Sequence, residues 1–357
     1  MKNKLATPPE NLSEEKIALE APKHPLKIIA LNSGRAFAQK ICHHLNNSHD
    51  YPVEHIAPIK TEEVEFANGE IKFVIHESIR GADVYIVQLI DDPLTQKSVN
   101  DNLIALASAI NAAYYSDAHS ITAVIPQFPY SRQDKRKGRE SITARVAGEL
   151  LQNSGANCAL TLDIHSEAIE GFFLNLKVEN IHMGKTLIEY VKSSGLQKNN
   201  LMIVAPDVNS AKRGVFFAKN LKTDLAIIDK VRNYSQPSTI SNMHLIGDVS
   251  GRDILICDDM LATGSTLLAA CRLLKKHDAK NIYAAVALPF FSRKVYKVFN
   301  TAYQEENLFN KIIGSNAVWW DDELRQFPWY HTLDATDLFA KVIAHLNKNL
   351  SVSELLE

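Results

Sequence analysis

Two adjacent carboxylates lie in the most chemically suggestive stretch of the chain, Asp253-Ile254-Leu255-Ile256-Cys257-Asp258-Asp259-Met260-Leu261-Ala262-Thr263-Gly264-Ser265-Thr266. A short apolar run ends in the paired acids, a loop of small residues follows, and a helical pattern begins near Leu267. A buried parallel strand, a tight loop and a helix N-terminus would aim several backbone N–H groups at one anion. Asp258 and Asp259 would then hold the hydroxyls of a sugar attached to that anion. A single Thr or Asp is enough to cap a helix. Two consecutive acids leaving a buried strand repel each other unless a cation or hydroxyl donors lie between them. The stretch therefore points to a sugar-phosphate site, suited to ribose 5-phosphate or its diphosphorylated product.

The elements that must position this site follow from periodicity. From Lys27 onward, strand-like and helix-like stretches alternate. Strands are expected at 27–31, 84–89, 122–125 and 159–162 in a first half that closes there. In a second half they are expected at 202–205, 225–228, 254–257 and 282–287. Helical patterns fall between Gly34 and Leu45 and at 102–115, 211–220 and 267–277. Such alternation implies parallel sheets covered on both faces, with ligands gathering at the carboxyl ends of the strands. Asp163, Asp207 and Asp258 all stand at such ends. Residues 64–75 break the pattern: apolar and polar residues alternate around Asn68-Gly69, a β-hairpin signal.

Composition sets the outer bounds. A chain of 357 residues, 46% hydrophobic, is long enough for two globular domains. A formal net charge of −2 gives no global pull toward nucleic acid or anionic membrane. No apolar run reaches membrane-spanning length, and residues 1–25 are polar and Pro-containing, without the apolar segment of a signal peptide. Residues 13–21 are expected to form at most one or two helical turns. Cys42, Cys158, Cys257 and Cys271 show no metal-binding spacing and are expected to be reduced. The chain is expected to be cytoplasmic.

The Asp253–Thr266 stretch resembles the fingerprint of type I phosphoribosyl-diphosphate binding proteins. Further segments narrow the resemblance to the ribose-phosphate diphosphokinases (PRPP synthetases). They are Phe66-Ala67-Asn68-Gly69-Glu70, Pro126 to Asp134 with Ile142-Thr143-Ala144-Arg145, and Leu162-Asp163-Ile164-His165 leading to Gly171-Phe172-Phe173. Ala205-Pro206-Asp207 with Lys212-Arg213, and Ile228-Asp229-Lys230-Val231-Arg232, follow in the family's order. Each motif alone is short; in register from about Lys27 to the C-terminus they are specific.

The resemblance implies an α/β fold of two similar type I phosphoribosyltransferase-like domains. Each would be a parallel sheet flanked by helices, with a β-hairpin in the first. The divisions would be a flexible extension at 1–25, an ATP-binding domain at 26–178 and a domain at 179–357 with the sugar site and catalytic loop. The implied reaction transfers the diphosphoryl group of ATP to the C1 hydroxyl of ribose 5-phosphate, giving PRPP and AMP.

By resemblance, Phe66, Asn68, Glu70, Arg132, Gln133 and Asp134 bind ATP. Asp258, Asp259, Ala262, Thr263, Gly264, Ser265 and Thr266 bind ribose 5-phosphate. His165 and Asp207 hold Mg²⁺, and Lys230 and Arg232 are the catalytic cations. Residues spaced i and i+2 in an extended segment point to one side, so Lys230 and Arg232 can reach one transferring group. The implied partners are ATP and ribose 5-phosphate, with no nucleic acid and no membrane, in a homo-oligomer built on dimers, up to a hexamer. The hairpin would contact adenine across a subunit interface, and Trp319, Trp320 and Trp329 either join an interface or pack in the core.

This chain departs from the family pattern at Ala262, where an acid is common, at Ser265 in place of glycine, and at Asn68 in place of Asp. Ala262-Thr263-Gly264 is closer to the phosphoribosyltransferases, the enzymatic alternative. A non-catalytic regulatory subunit is the other, although Lys230, Arg232 and His165 are all retained.

Overall fold

The computed structural model describes residues 22–48, 55–92, 97–196, 200–232, 240–292, 295–318 and 322–356. Its first half is built on a parallel sheet of β1 (Leu26–Ala30), β4 (Asp83–Val87), β5 (Ser120–Val124), β6 (Cys158–Leu162) and β7 (Lys177–Ile181), side by side in that order. β2 (Thr61–Glu65) and β3 (Ile71–Ile75) form a separate antiparallel hairpin. The expected turn is present, but the strands are joined by a five-residue loop, 66–70, inside which Gly69 takes φ +86°. Phe66 N–H donates to Glu70 O at 2.8 Å and Gly69 N–H to Phe66 O at 2.8 Å.

The second half has a larger sheet. β8 (Leu201–Ala205), β9 (Asp224–Arg232), β11 (Asp253–Leu261), β12 (Ile282–Pro289), β13 (Lys311–Ser315) and β14 (Tyr330–Leu333) run parallel in the order β9-β8-β11-β12-β13-β14. β10 (Ile240–Ile246) pairs antiparallel with β9 at one edge. β8 and β4 are buried at every position, as strands covered on both faces must be.

The covering helices are α1 (Arg35–Asn47), α2 (Val99–Tyr115), α3 (Thr143–Ser154), α4 (Gly184–Ser193), α5 (Ala211–Leu221), α6 (Ser265–Lys276), α7 (Tyr296–Gln304) and α8 (Thr336–Asn347). α2 starts earlier than its apolar periodicity suggests because Ser98 and Asp101 form a capping box. α3, not anticipated as a helix, ends at Gly155 in the left-handed region, φ +114°.

Two expectations need correction. The first sheet does not close with the strand at 158–162: β7 pairs with β6, so this half runs on to Ile181. Lys230 and Arg232, expected on a catalytic loop, stand at the end of a strand: β9 continues to Arg232, with Lys230 opposite Met243 and Arg232 opposite Ile240. The alternating run from Asn242 to Ile246 supplies that ladder. Trp329 is fully buried in an aromatic cluster with Phe291, Phe299, Phe309 and Phe327, which makes it core. Residues 1–21 and 319–321 lie outside the described residues.

One hydrophobic core continues through both halves. It includes Ile28, Phe37 and Ile41 from the first, and Leu255, Phe339 and Ile343 from the second. α8, from the C-terminal half, lays Phe339 edge-on against Phe37 of α1, with ring centroids 5.3 Å apart. The carboxyl ends of β6 and β11 are thereby held facing each other across the junction.

Candidate active site

β11 continues through its own acids. Asp253 to Cys257 are buried, and the chain stays in register with β12 as far as Leu261, with Asp258 opposite Val286. Asp258 and Asp259 therefore leave the core on a rigid strand. Burial pushes the Asp258 carboxyl well above its usual range, and the neighbouring Asp259 and Asp207 push it further. Burial also works against ionisation of Asp259, but His165, Arg213 and the Asp258 hydrogen bond together hold it below the usual range. The charge of the pair thus rests mainly on Asp259, beside His165 and Arg213.

Beyond the acids the chain turns through Ala262 and Thr263 to Gly264, which has φ +70° and precedes α6. A Cβ at Gly264 would lie 2.2 Å from Phe299 Cε2, so the turn also needs glycine for space. No side chain caps α6, which leaves its first-turn amides without a side-chain acceptor. Thr263 and Ser265 bring their hydroxyls to 3.2 Å of each other at this end.

From the opposite half, β6 delivers Asp163 and His165. His165 Nδ1 lies 2.8 Å from Asp259 Oδ2, across the junction, and that hydrogen bond raises the imidazole pKa above its usual value. Asp163 faces elsewhere. Its side chain is 3% exposed and accepts from Met183 N–H at 2.9 Å and Arg213 Nη1 at 3.0 Å, with His182 Nδ1 at 3.2 Å. Asp207, just past β8, accepts from Ser210 N–H at 2.9 Å and Ser210 Oγ at 3.0 Å. Ser210 Oγ also lies 3.5 Å from Asp258 Oδ1, bringing the two acids to one place.

His165 and Asp207 open onto a cleft of about 1110 Å³ lined also by Arg132, Gln133, Asp134, Lys135, Lys137 and Asp229, among others; Asp258, Asp259 and the turn at 262–266 are not part of its lining. Three expected ATP contacts, both expected metal ligands and the strand carrying the expected catalytic cations thus meet in one place. Arg132 Nε also reaches Met260 Sδ at 2.8 Å, directly beside the acid pair. Lys230 and Arg232 follow Asp229 on β9; their side chains lie outside the described residues. Phe66, Asn68 and Glu70 sit apart at the hairpin tip, with Phe66 48% exposed and Asn68 Oδ1 accepting from Glu70 N–H. Sequence reasoning gave no role to Asp229, which lies inside a motif it quoted, or to Ser210, which lies between the two parts of another.

Among the described residues, no group of three or more His, Cys, Asp or Glu side chains forms a ready metal cage. The donor set nonetheless fits Mg²⁺. That ion keeps several waters and takes one or two carboxylates plus phosphate oxygens. Burial and the neighbouring Asp259 and Asp207 raise the Asp258 pKa, and a divalent cation beside it would favour its charged form.

Residues 26–155 match the family model for the N-terminal domain of ribose phosphate pyrophosphokinase, and residues 177–320 match that for the phosphoribosyl transferase domain. Ribose-phosphate pyrophosphokinase 2 of Schizosaccharomyces pombe is 35% identical over 332 residues, covering 92% of this chain and 97% of that protein. Ribose-phosphate pyrophosphokinase of Wolinella succinogenes is 37% identical over 291 residues, 81% of this chain and 88% of that one. The crystal structure of phosphoribosylpyrophosphate synthetase from Mycobacterium smegmatis superposes with a TM-score of 0.79 at 28% identity, covering 91% of this chain and 99% of that one.

Proposed function

This chain belongs to the ribose-phosphate pyrophosphokinase family, and on that premise we propose how its cleft makes PRPP and AMP from ATP and ribose 5-phosphate. In the reaction the sugar's C1 oxygen bonds to the β-phosphorus of ATP. The bridge between the α- and β-phosphates breaks, AMP leaves, and the C1 hydroxyl gives up its proton. Donor and acceptor are both strongly anionic, so catalysis is mostly positioning and charge stabilisation.

The residues divide that task by place. The first-turn amides of α6, with Thr263, Gly264, Ser265 and Thr266, hold the 5-phosphate, and Ala262 lets the backbone approach it. Asp258 and Asp259 accept the ribose hydroxyls. Arg132, Gln133 and Asp134 take the nucleotide, and Arg132 is suited to a bidentate grip on phosphate. Phe66, Asn68 and Glu70 complete the adenine site of a neighbouring copy, which makes the working unit a homo-oligomer, dimer-based and up to a hexamer. His165 and Asp207 would hold Mg²⁺, which when bound would offset phosphate charge beside the triphosphate. Lys230 and Arg232 stabilise the charge that develops on the bridging oxygen.

The observation that carries this reading is the cleft itself. It brings the Arg132 segment, His165, Asp207 and Asp229 of β9 together, and Asp259 and Asp258 adjoin it through His165 and Ser210. The cytoplasm is the proposed location, supported by four unpaired thiols, three of them buried. Among the described residues no helix is long and apolar enough to cross a membrane.

The test is to incubate the protein with ATP, Mg²⁺ and ribose 5-phosphate and measure AMP. AMP formed only with the sugar is expected. Lys230→Ala and Arg232→Ala should each lower kcat roughly 10²–10³-fold while ATP still binds. Product only from PRPP and a nucleobase would instead identify a phosphoribosyltransferase.

A further inference from the structure

α5 sends two consecutive basic residues across the junction between the halves. Lys212 Nζ reaches both carboxylate oxygens of Glu167 at 2.8 Å, and this bridge lies in solvent, with side chains 81% and 63% exposed. Arg213 takes the inner path. Its Nη1 donates to Asp163 Oδ1 at 3.0 Å, with side chains 22% and 3% exposed. Three residues before Arg213, Ser210 holds Asp207 and approaches Asp258. Two residues after Asp163, His165 meets Asp259. The buried pair therefore joins the start of α5, which follows the β8 loop with one proposed metal ligand, Asp207, to the segment just past β6, which carries the other, His165.

We propose that Arg213 is a positioning residue for the reaction, a buried strut through Asp163 that sets the spacing between Asp207 and His165 across the two halves. Asp163 is well fitted as the anchor. It adopts φ +43°, an uncommon conformation for a side-chain-bearing residue, and is held there by Met183 N–H, His182 and Arg213. Burial works against the charged Arg213 guanidinium, while Asp163, Asp259 and Asp258 favour it electrostatically. A guanidinium offers several donors in a fixed fork, which suits one cation serving acids from two directions. Lys212 spans the same junction but, exposed and screened, sets no such spacing.

The inference rests on the proposed metal role of His165 and Asp207, so the experiment separates the two. Full-length Arg213→Met, Arg213→Lys, Lys212→Met and His165→Ala proteins are compared with the parent. Mn²⁺ affinity is measured by water-proton relaxation at saturating ADP, and kcat and KM for each substrate are determined. Partners that orient metal ligands typically change metal affinity 10–100-fold, so a loss of roughly that size is expected in Arg213→Met. KM for ATP should rise with it, because the proposed metal serves the triphosphate, and KM for ribose 5-phosphate should rise as well. Arg213→Lys should lose roughly tenfold, because it keeps the charge without the fork. Lys212→Met should stay within about twofold, as expected of an exposed pair.

An Arg213→Met protein that folds and binds Mn²⁺ and ribose 5-phosphate like the parent overturns the strut. So does a Lys212→Met protein equally impaired. If Arg213→Met fails to fold, Arg213→Lys decides on the same two quantities. Mn²⁺ affinity unchanged in both His165→Ala and Arg213→Met would refute the metal assignment instead, leaving KM for ribose 5-phosphate to judge the strut.

Discussion

At the scale of single residues, the chemistry turns on acids whose charge is held in check by neighbours. Asp258 and Asp259 are adjacent on one strand yet differ in environment: Asp259 has His165 and Arg213, whereas Asp258 has mainly other carboxylates nearby. Asp258 is thus poised to gain most from the hydroxyl donors of a bound sugar. Asp258→Asn keeps the shape and removes the carboxylate whose charged form a bound sugar's hydroxyls would favour. A hydrogen bond to a charged group contributes about 1.5–3 kcal/mol, so KM for ribose 5-phosphate should rise roughly 10–150-fold, with KM for ATP little altered. Steady-state kinetics with each substrate varied checks this, and an equal rise in both KM values would contradict it. The identity of this pair was legible from type and spacing alone. The engagement of Asp163 with Arg213 and His182 was not, because those partners come from outside its own motif.

At the scale of elements, the β11–α6 turn concentrates several demands on one glycine. Gly264 combines a left-handed backbone with a Cβ position occupied by the buried Phe299 ring. Gly264→Ala therefore incurs backbone strain of about 1–3 kcal/mol, with overpacking of similar size added. The expected outcome is a lower denaturation midpoint and weaker ribose 5-phosphate binding, since relaxing the strain moves the amides at the start of α6. Chemical denaturation alongside binding calorimetry measures both, and an unperturbed variant would show that the turn tolerates a side chain. The strands of the two sheets were largely legible because buried parallel strands are continuous apolar runs. β7 and β10 were missed for a related reason, and β13, β14 and α3 were not singled out either. Lys177, Glu179 and Asn180 interrupt the apolar run of β7, and the polar positions of β10 read as a connection until β9 supplies its partner.

At the scale of the whole molecule, the halves behave as one body because ties of several kinds cross the junction. Asn347 Nδ2 donates to Asp83 Oδ2 at 2.8 Å, and Gln127 Nε2 to Ala317 O at 3.4 Å. Asp334, before α8, accepts from Thr336 N–H and Asn316 Nδ2, and lies within 3.8 Å of Lys40 on α1. Burial alone would raise its pKa, but Thr336, Asn316 and Lys40 bring it down to about 2. A depressed folded-state value means stability that is present above the unfolded value near 3.9 and lost as pH falls toward 2. With its side chain 41% exposed, the contribution is discounted to about 1 kcal/mol. Parent and Asp334→Asn proteins should thus differ in melting temperature at pH 6 and converge near pH 2. A gap that persists at pH 2 would remove the charge from the account.

By itself the sequence determined the fold class, the family and the types of group at the site, since these depend on local periodicity and on motifs contiguous in the chain. The tertiary structure decided how those motifs meet. It showed that His165 faces Asp259, that Asp163 belongs to the junction, and that Lys230 and Arg232 ride on an extended strand pair. Those outcomes depend on contacts between residues far apart in sequence, and a single chain carries no local signal for the partner it will find.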